Sequence, residues 1–184
     1  MSTLRQTPRK SPLRAAMEAR NVAAIVDTFA PDAVFRSPLT EKLAFQGREQ
    51  IAAVTNVILE VFKDFRYTEE FFDEDSGFLV SRAQIDGLDI EMVDHIRLGP
   101  DGKIQEFTVF MRPLPATAAA LRLIGAGFGR RKSRARAVLI SALTSPLALM
   151  TRIGDGIGVR LIRSALSTEQ RFTRRNGVTL RAPW

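Results

Sequence analysis

The 184-residue chain has no cysteine and only one histidine, His95, one tyrosine, Tyr67, and one tryptophan, Trp184. Without cysteine there is no disulfide and no thiolate metal site, and a lone histidine does not make a zinc centre. The expectation is no metal and no cofactor. Long apolar runs are also missing: no stretch reaches the roughly 20 residues that span a bilayer. The first 20 residues are basic but lack the apolar centre of a secretory signal. These absences together lead us to expect a soluble cytoplasmic protein.

Acidic residues are scarce in one part of the chain only. Residues 1–112 hold 14 Lys+Arg against 18 Asp+Glu, whereas residues 113–184 hold 13 against two. The whole basic excess therefore lies in the last third, which reads as an appended segment with its own task. The boundary falls near Arg112-Pro113. Residues 1–10 read as a disordered arm, 11–113 as a domain, and 114–184 as a basic helical extension.

Within the domain, Ser11-Pro12 makes a helix start, with serine as cap and proline in the first turn. Asn21 caps a second short helix that runs as far as Pro31. Val34–Ser37 reads as a short strand. A longer helix follows Gly47 to about Phe62, with Ile51, Val54, Ile58 and Phe62 at helical spacing. Four strand-like runs come next: Arg66–Phe72, Phe78–Ile85, Leu88–Leu98 and Ile104–Met111. Their connections are turns, and Asp86-Gly87 is a strong two-residue hairpin signal. Helices followed by an antiparallel meander indicate an α+β fold with helices over one sheet face.

The third of these strands carries the most informative residue. Alternation places Ile90, Met92, Asp94 and Ile96 on one face, so a carboxylate sits in an apolar row. Such a group is paired, protonated or in use, because an unpaired buried charge costs several kcal/mol. The pairing reading would use an arginine such as Arg82 or Arg97. His95, one residue on, faces the opposite side and reads as a structural or interface residue rather than a base. Two other motifs fail on inspection. Gly125–Gly129 lacks the Gly-Lys-Ser order of a phosphate loop, and Asp73–Gly77 lacks the closing glutamate of a calcium loop.

The segments NVAAIVDTFAPDAVFRSP, AFQGREQI and VDHIRLGPDGKIQEFTVF, in this order, resemble the nuclear transport factor 2-like superfamily and its SnoaL-like, ketosteroid-isomerase-like branch. The likeness covers about residues 12–113. It implies a conical, strongly curved antiparallel sheet wrapped on N-terminal helices around an apolar pocket, commonly as a homodimer. It also implies that Asp94 stands where ketosteroid isomerases hold a protonated aspartic acid in an oxyanion hole, with burial keeping the acid neutral. The general-base aspartate of those enzymes is replaced by Ser37 before Pro38, and their first-helix tyrosine falls near Leu13. Limonene epoxide hydrolases, which share the fold, carry an aspartate where this chain has Val109. On this resemblance Phe107, Val109 and Met111 face inward, with Glu106, Thr108 and Phe110 outward. Phe35, Ser37, Phe62, Tyr67 and Met92 complete a ligand pocket whose candidate acid is Asp94. The superfamily contains isomerases, cyclases and binding proteins, so enzyme and binding module both stay open.

The extension offers a second reading. Leu114–Ile124 is alanine-rich and helical, Gly129–Arg136 is a basic linker, and Ala137–Met150 is uncharged but interrupted by Pro146. A basic flank beside an apolar segment suits an anionic membrane surface, here through residues 130–163. The simpler expectation packs these helices on the domain with arginines facing water, leaving only weak membrane contact. No specific nucleic-acid partner is expected, because Phe128, Phe172 and Trp184 are too sparse to form stacking platforms. The two function classes are thus binding of a small apolar molecule, with isomerase- or cyclase-type chemistry at Asp94, and a non-catalytic module whose tail docks on a membrane or protein partner.

Overall fold

The computed structural model describes residues 11–38 and 43–132, with Pro146, Leu149–Thr151, Ile153 and Gly154 beyond them. The expected arm at 1–10 and most of the basic extension lie outside the described residues. Two short helices open the fold. Helix α1 (Pro12–Glu18) is capped by the Ser11 side chain, which accepts from the Arg14 N–H at 3.2 Å. Helix α2 (Val22–Asp27) is capped by Asn21, which accepts from Ala24 N–H at 3.1 Å. Both caps are where the sequence puts them, because a short polar side chain there satisfies an N–H that has no helical partner.

The second helix is shorter than expected. It ends at Asp27, and Phe29–Arg36 form strand β1 with Pro31 inside it. Proline is tolerated there because the ladder is irregular between Phe29 and Val34, where no N–H is required. A three-residue edge strand, β2 (Ala44–Gln46), then leads into helix α3 (Gly47–Val61). Strands β3 (Lys63–Phe72), β4 (Ser76–Ile85), β5 (Leu88–Leu98) and β6 (Ile104–Arg112) form the meander. The β4–β5 hairpin closes at Asp86-Gly87, with φ of 53° and 73°, and Ile85 pairs with Leu88. Positive φ at both central residues is the mirror-image turn that matches strand twist.

The six strands lie in the order β2-β1-β6-β5-β4-β3. Every pairing is antiparallel except β1 with β6, which is parallel, so the expectation of a purely antiparallel sheet is corrected at that joint. The first strand returns beside the last because α3 carries the chain across one face of the sheet. Register shifts in β1–β6, β3–β4 and β5–β6 bend the sheet around that face. The core fills the concavity: Phe29, Ile51, Phe62, Leu79, Ile85, Ile90 and Ile96 are all fully buried.

The packed unit does not stop at Arg112-Pro113. Helix α4 spans Leu114–Lys132, eight residues beyond the expected end. Its Ala116, Ala119 and Ala120 are wholly buried in the same core cluster as the sheet residues. Arg122 donates to Asp86 at 2.9 Å and Phe128 stacks on Phe45 at 5.7 Å, tying the helix to both sides of the fold. The alanine stripe explains the close approach, since small side chains let a helix settle directly on its neighbours.

Candidate ligand site

Strand β5 presents Ile90, Met92, Asp94 and Ile96 to the interior, all buried, as period-two alternation requires. Asp94 is 5% exposed and Tyr67 is 4% exposed. The Tyr67 hydroxyl donates to Asp94 Oδ2 at 3.2 Å. These residues belong to β3 and β5, which are separated by β4, so the phenol must cross β4 to reach the carboxyl. Opposite Tyr67 in β4 stands Ser81, whose small side chain leaves that crossing open. Ser81 is fully buried, and its Oγ has no hydrogen-bond partner.

Burial raises the Asp94 pKa to about 7, and the Tyr67 hydrogen bond pulls the other way without offsetting it. A carboxylate surrounded by hydrocarbon loses more hydration than one phenol can return. Tyr67 is itself pushed well above its ordinary range, first by burial and then by the adjacent Asp94. The phenol therefore stays protonated and remains the donor, while the carboxyl is poised between acid and carboxylate at neutral pH. In its acid form Asp94 has a proton to donate, and its second oxygen is not the one that Tyr67 occupies.

The two groups face a small apolar cavity of about 60 Å³. Of the residues the sequence proposes, Phe35, Phe62, Tyr67, Met92, Asp94, Phe107, Val109 and Met111 all line it. Ser37 does not. It follows the last residue of β1, and its N–H donates to the Leu43 carbonyl at 3.2 Å. Ring packing fixes the wall: Phe35 stacks on Phe107 at 5.0 Å, and Phe65 meets Tyr67 edge-on at 5.0 Å. The cavity also has a lining from α1 and α3 that sequence reasoning did not assign, namely Leu13, Met17, Thr55 and Ile58. Of these, only Ile58 stands in the apolar series read from helical spacing, and which residues border a cavity depends on how two helices meet the sheet.

Neither Arg82 nor Arg97 pairs with Asp94. Arg82 instead donates to Glu91 on the outer face at 3.0 Å. His95 lies on that outer face as expected, stacked on Phe78 at 4.7 Å. Among the described residues no group of His, Asp and Glu could hold a metal ion. No helix among them is long and apolar enough to cross a membrane.

Comparison with known proteins agrees with this fold. The SnoaL-like domain family matches residues 13–107, a span from α1 into β6 that carries all of the cavity lining except Val109 and Met111. The chain belongs to the SnoaL-like domain family. Its fold is that of the nuclear transport factor 2-like superfamily. A protein with a cystatin-like fold, conserved in bacteria, from Silicibacter pomeroyi is 28% identical, with a TM-score of 0.60 over 70% of this chain and 89% of its own. A steroid delta-isomerase from Pseudomonas aeruginosa is also 28% identical, with a TM-score of 0.57 over 68% of this chain and 95% of its own. No curated protein matches the chain in sequence. The SnoaL-like match ends at 107, so it leaves α4 as a feature of this chain outside the matched span.

Proposed function

We propose that this SnoaL-like protein binds a small apolar molecule carrying a hydrogen-bond acceptor, such as a ketone, with Asp94 as the polar contact. The observation that carries this reading is the buried Tyr67–Asp94 pair, held in a cavity otherwise lined almost entirely by hydrocarbon and aromatic rings. In its acid form Asp94 can donate to a carbonyl, a bond that strengthens as negative charge develops on the oxygen. This supports isomerase- or cyclase-type chemistry in which Asp94 polarises a carbonyl. Abstraction of a carbon-bound proton needs a base as well. Among the described residues the cavity holds only Thr55, Tyr67 and Asp94 as polar groups, so the reading rests on binding and polarisation.

The cavity has roughly the volume of two water molecules, well below the several hundred Å³ of usual small-molecule pockets. A ligand therefore displaces lining side chains as it enters. Met17, Met92 and Met111 all border the cavity, and unbranched thioethers are the side chains that repack most cheaply. We place this activity in the cytoplasm, with which the cysteine-free composition is compatible.

The test uses prodan, a neutral fluorescent ketone with an elongated apolar body. Asp94→Leu keeps the branching and the number of heavy atoms and removes the donor. It is expected to weaken prodan binding about three- to tenfold, the worth of one hydrogen bond, with the thermal melt still cooperative. Unchanged affinity in Asp94→Leu would remove Asp94 from the ligand site.

A second copy of the chain is the partner we propose for the outer sheet face. Phe110 is 57% exposed and Phe78 41% exposed, beside the half-buried Val80, Val93 and His95. Charges of both signs flank the patch, with Arg82, Glu91 and Arg112 linked on one side and Arg36–Glu106 on the other. An apolar centre with a mixed-charge rim suits two-fold self-association.

A further inference from the structure

A second space lies on the other side of α1. It is a groove of about 1,230 Å³ between α1 and α2 and the ends of β3, β5 and β6. Its floor is apolar, with Leu13, Ile96, Leu98 and Ile104, and it carries the carboxylates Asp73 and Asp101 together with Asp27, which pairs with Arg48 at 3.9 Å. The one basic side chain among its described residues is Lys103, whose ammonium is already held by the Asp27 carbonyl. Leu13 is the only described residue that lines both this groove and the Asp94 cavity. One buried leucine thus borders both a space large enough for a ligand and the cavity that holds the polar pair that would recognise it.

We propose that the groove is the route to Asp94, with Leu13 the residue that admits the ligand and the acidic rim the feature that selects it. This rests on the binding function proposed above. When the Leu13 side chain turns aside, cavity and groove form one elongated site with Asp94 at its inner end. The site takes a long apolar molecule that enters carbonyl first and leaves its trailing end among carboxylates. A neutral or cationic trailing end is accepted and an anionic one is repelled.

The position of Leu13 is set by a small number of polar ties on α1. Arg14 donates to the Tyr67 carbonyl at 3.0 Å and approaches Glu70 at 3.6 Å, and the Ser11 N–H donates to Glu70 at 2.8 Å. Glu70 faces inward because the β3 ladder shifts register between Tyr67 and Glu69, which reverses the alternation after Tyr67. The helix holding the partition is therefore pinned to the residue that bonds Asp94. It is only seven residues long, so it moves as a unit on few contacts.

Stopped-flow binding of prodan to the full-length chain tests this. Leu13→Ala opens the partition and is expected to raise the association rate by about tenfold. Ala15 lines the groove and is exposed, so Ala15→Trp obstructs the entrance without disturbing the core, and it is expected to slow association. Association unchanged by Ala15→Trp, with Asp94→Leu still weakening binding, would overturn the route and leave the binding reading standing. Affinity unaffected by Asp94→Leu would instead overturn the reading beneath it. The charge selection has its own arm, a prodan analogue with a carboxylate in place of the dimethylamino group. It should bind more weakly than prodan, and the double variant Asp73→Asn/Asp101→Asn should narrow the difference. A difference that survives neutralisation would show that the rim does not select.

Discussion

Asp94 is a buried acid that the fold holds against its own ionisation, and this has a consequence for stability. Its pKa in the folded chain is about 7 against an ordinary 3.8, so between these values the native state binds more protons than the unfolded state. Stability from this group is therefore greatest below about pH 4, falls as pH rises toward 7, and is flat above. The full span amounts to about 4 kcal/mol at roughly 1.4 kcal/mol per unit. Asp94→Asn has no such titration. Denaturant unfolding of both proteins from pH 4 to 8 should show the variant gaining relative to the native chain until about pH 7, while a constant difference would mean that Asp94 is solvated. The position of Asp94 was legible because strand alternation is strict and a carboxylate among Ile90, Met92 and Ile96 stands out. Its partner was not. Tyr67 reaches it across an intervening strand, and nothing in local spacing encodes a contact over 27 residues that depends on the small size of Ser81.

At the scale of elements, the helices and strands followed from caps, turns and periodicity, and errors fell where those signals are weakest. The three residues of β2 are too few for a pattern, and a proline in β1 made a strand look like a helix stop. The parallel β1–β6 joint is a matter of how the chain closes rather than of either strand's composition. Helix α4 was legible as a helix, and its packing on the domain was the simpler of two expectations, but the face that packs was not legible. Its buried stripe is made of alanines, which contrast too little with the other faces to announce which one is inside. Its packing makes a sharp prediction at Gly127. A Cβ there would lie 2.6 Å from Val57 Cγ1 on α3. Helix propensity alone would reward Gly127→Ala by about 1 kcal/mol. Against a stiff β-branched neighbour the clash should win, lowering stability by about 1–2 kcal/mol. A rise in melting temperature would show that α4 is not seated on α3.

The whole molecule is a curved sheet with two differently used faces. The concave face holds the cavity and is closed by α1, α2, α3 and α4; the convex face offers Phe78 and Phe110 to its surroundings. Phe110→Arg places a charge at the centre of that convex patch. Sedimentation velocity should find the native chain as a dimer and this variant as a monomer with its melt little changed, since Phe110 is already largely exposed. A native monomer would instead leave the patch unpartnered by a second copy. The binding we propose for the concave face depends on one proton. Prodan accepts hydrogen bonds at its carbonyl and donates none, so it should bind to the acid form of Asp94 and be rejected by the carboxylate. Titrating prodan into the native chain from pH 5 to 9 is the most direct test. Affinity should be level at low pH and fall about tenfold per unit above pH 7, the slope of a single proton. Asp94→Asn, with a permanent amide donor, should bind prodan independently of pH. Equal affinity across the same range in the native chain would contradict a protonated Asp94 as the contact that recognises the ligand.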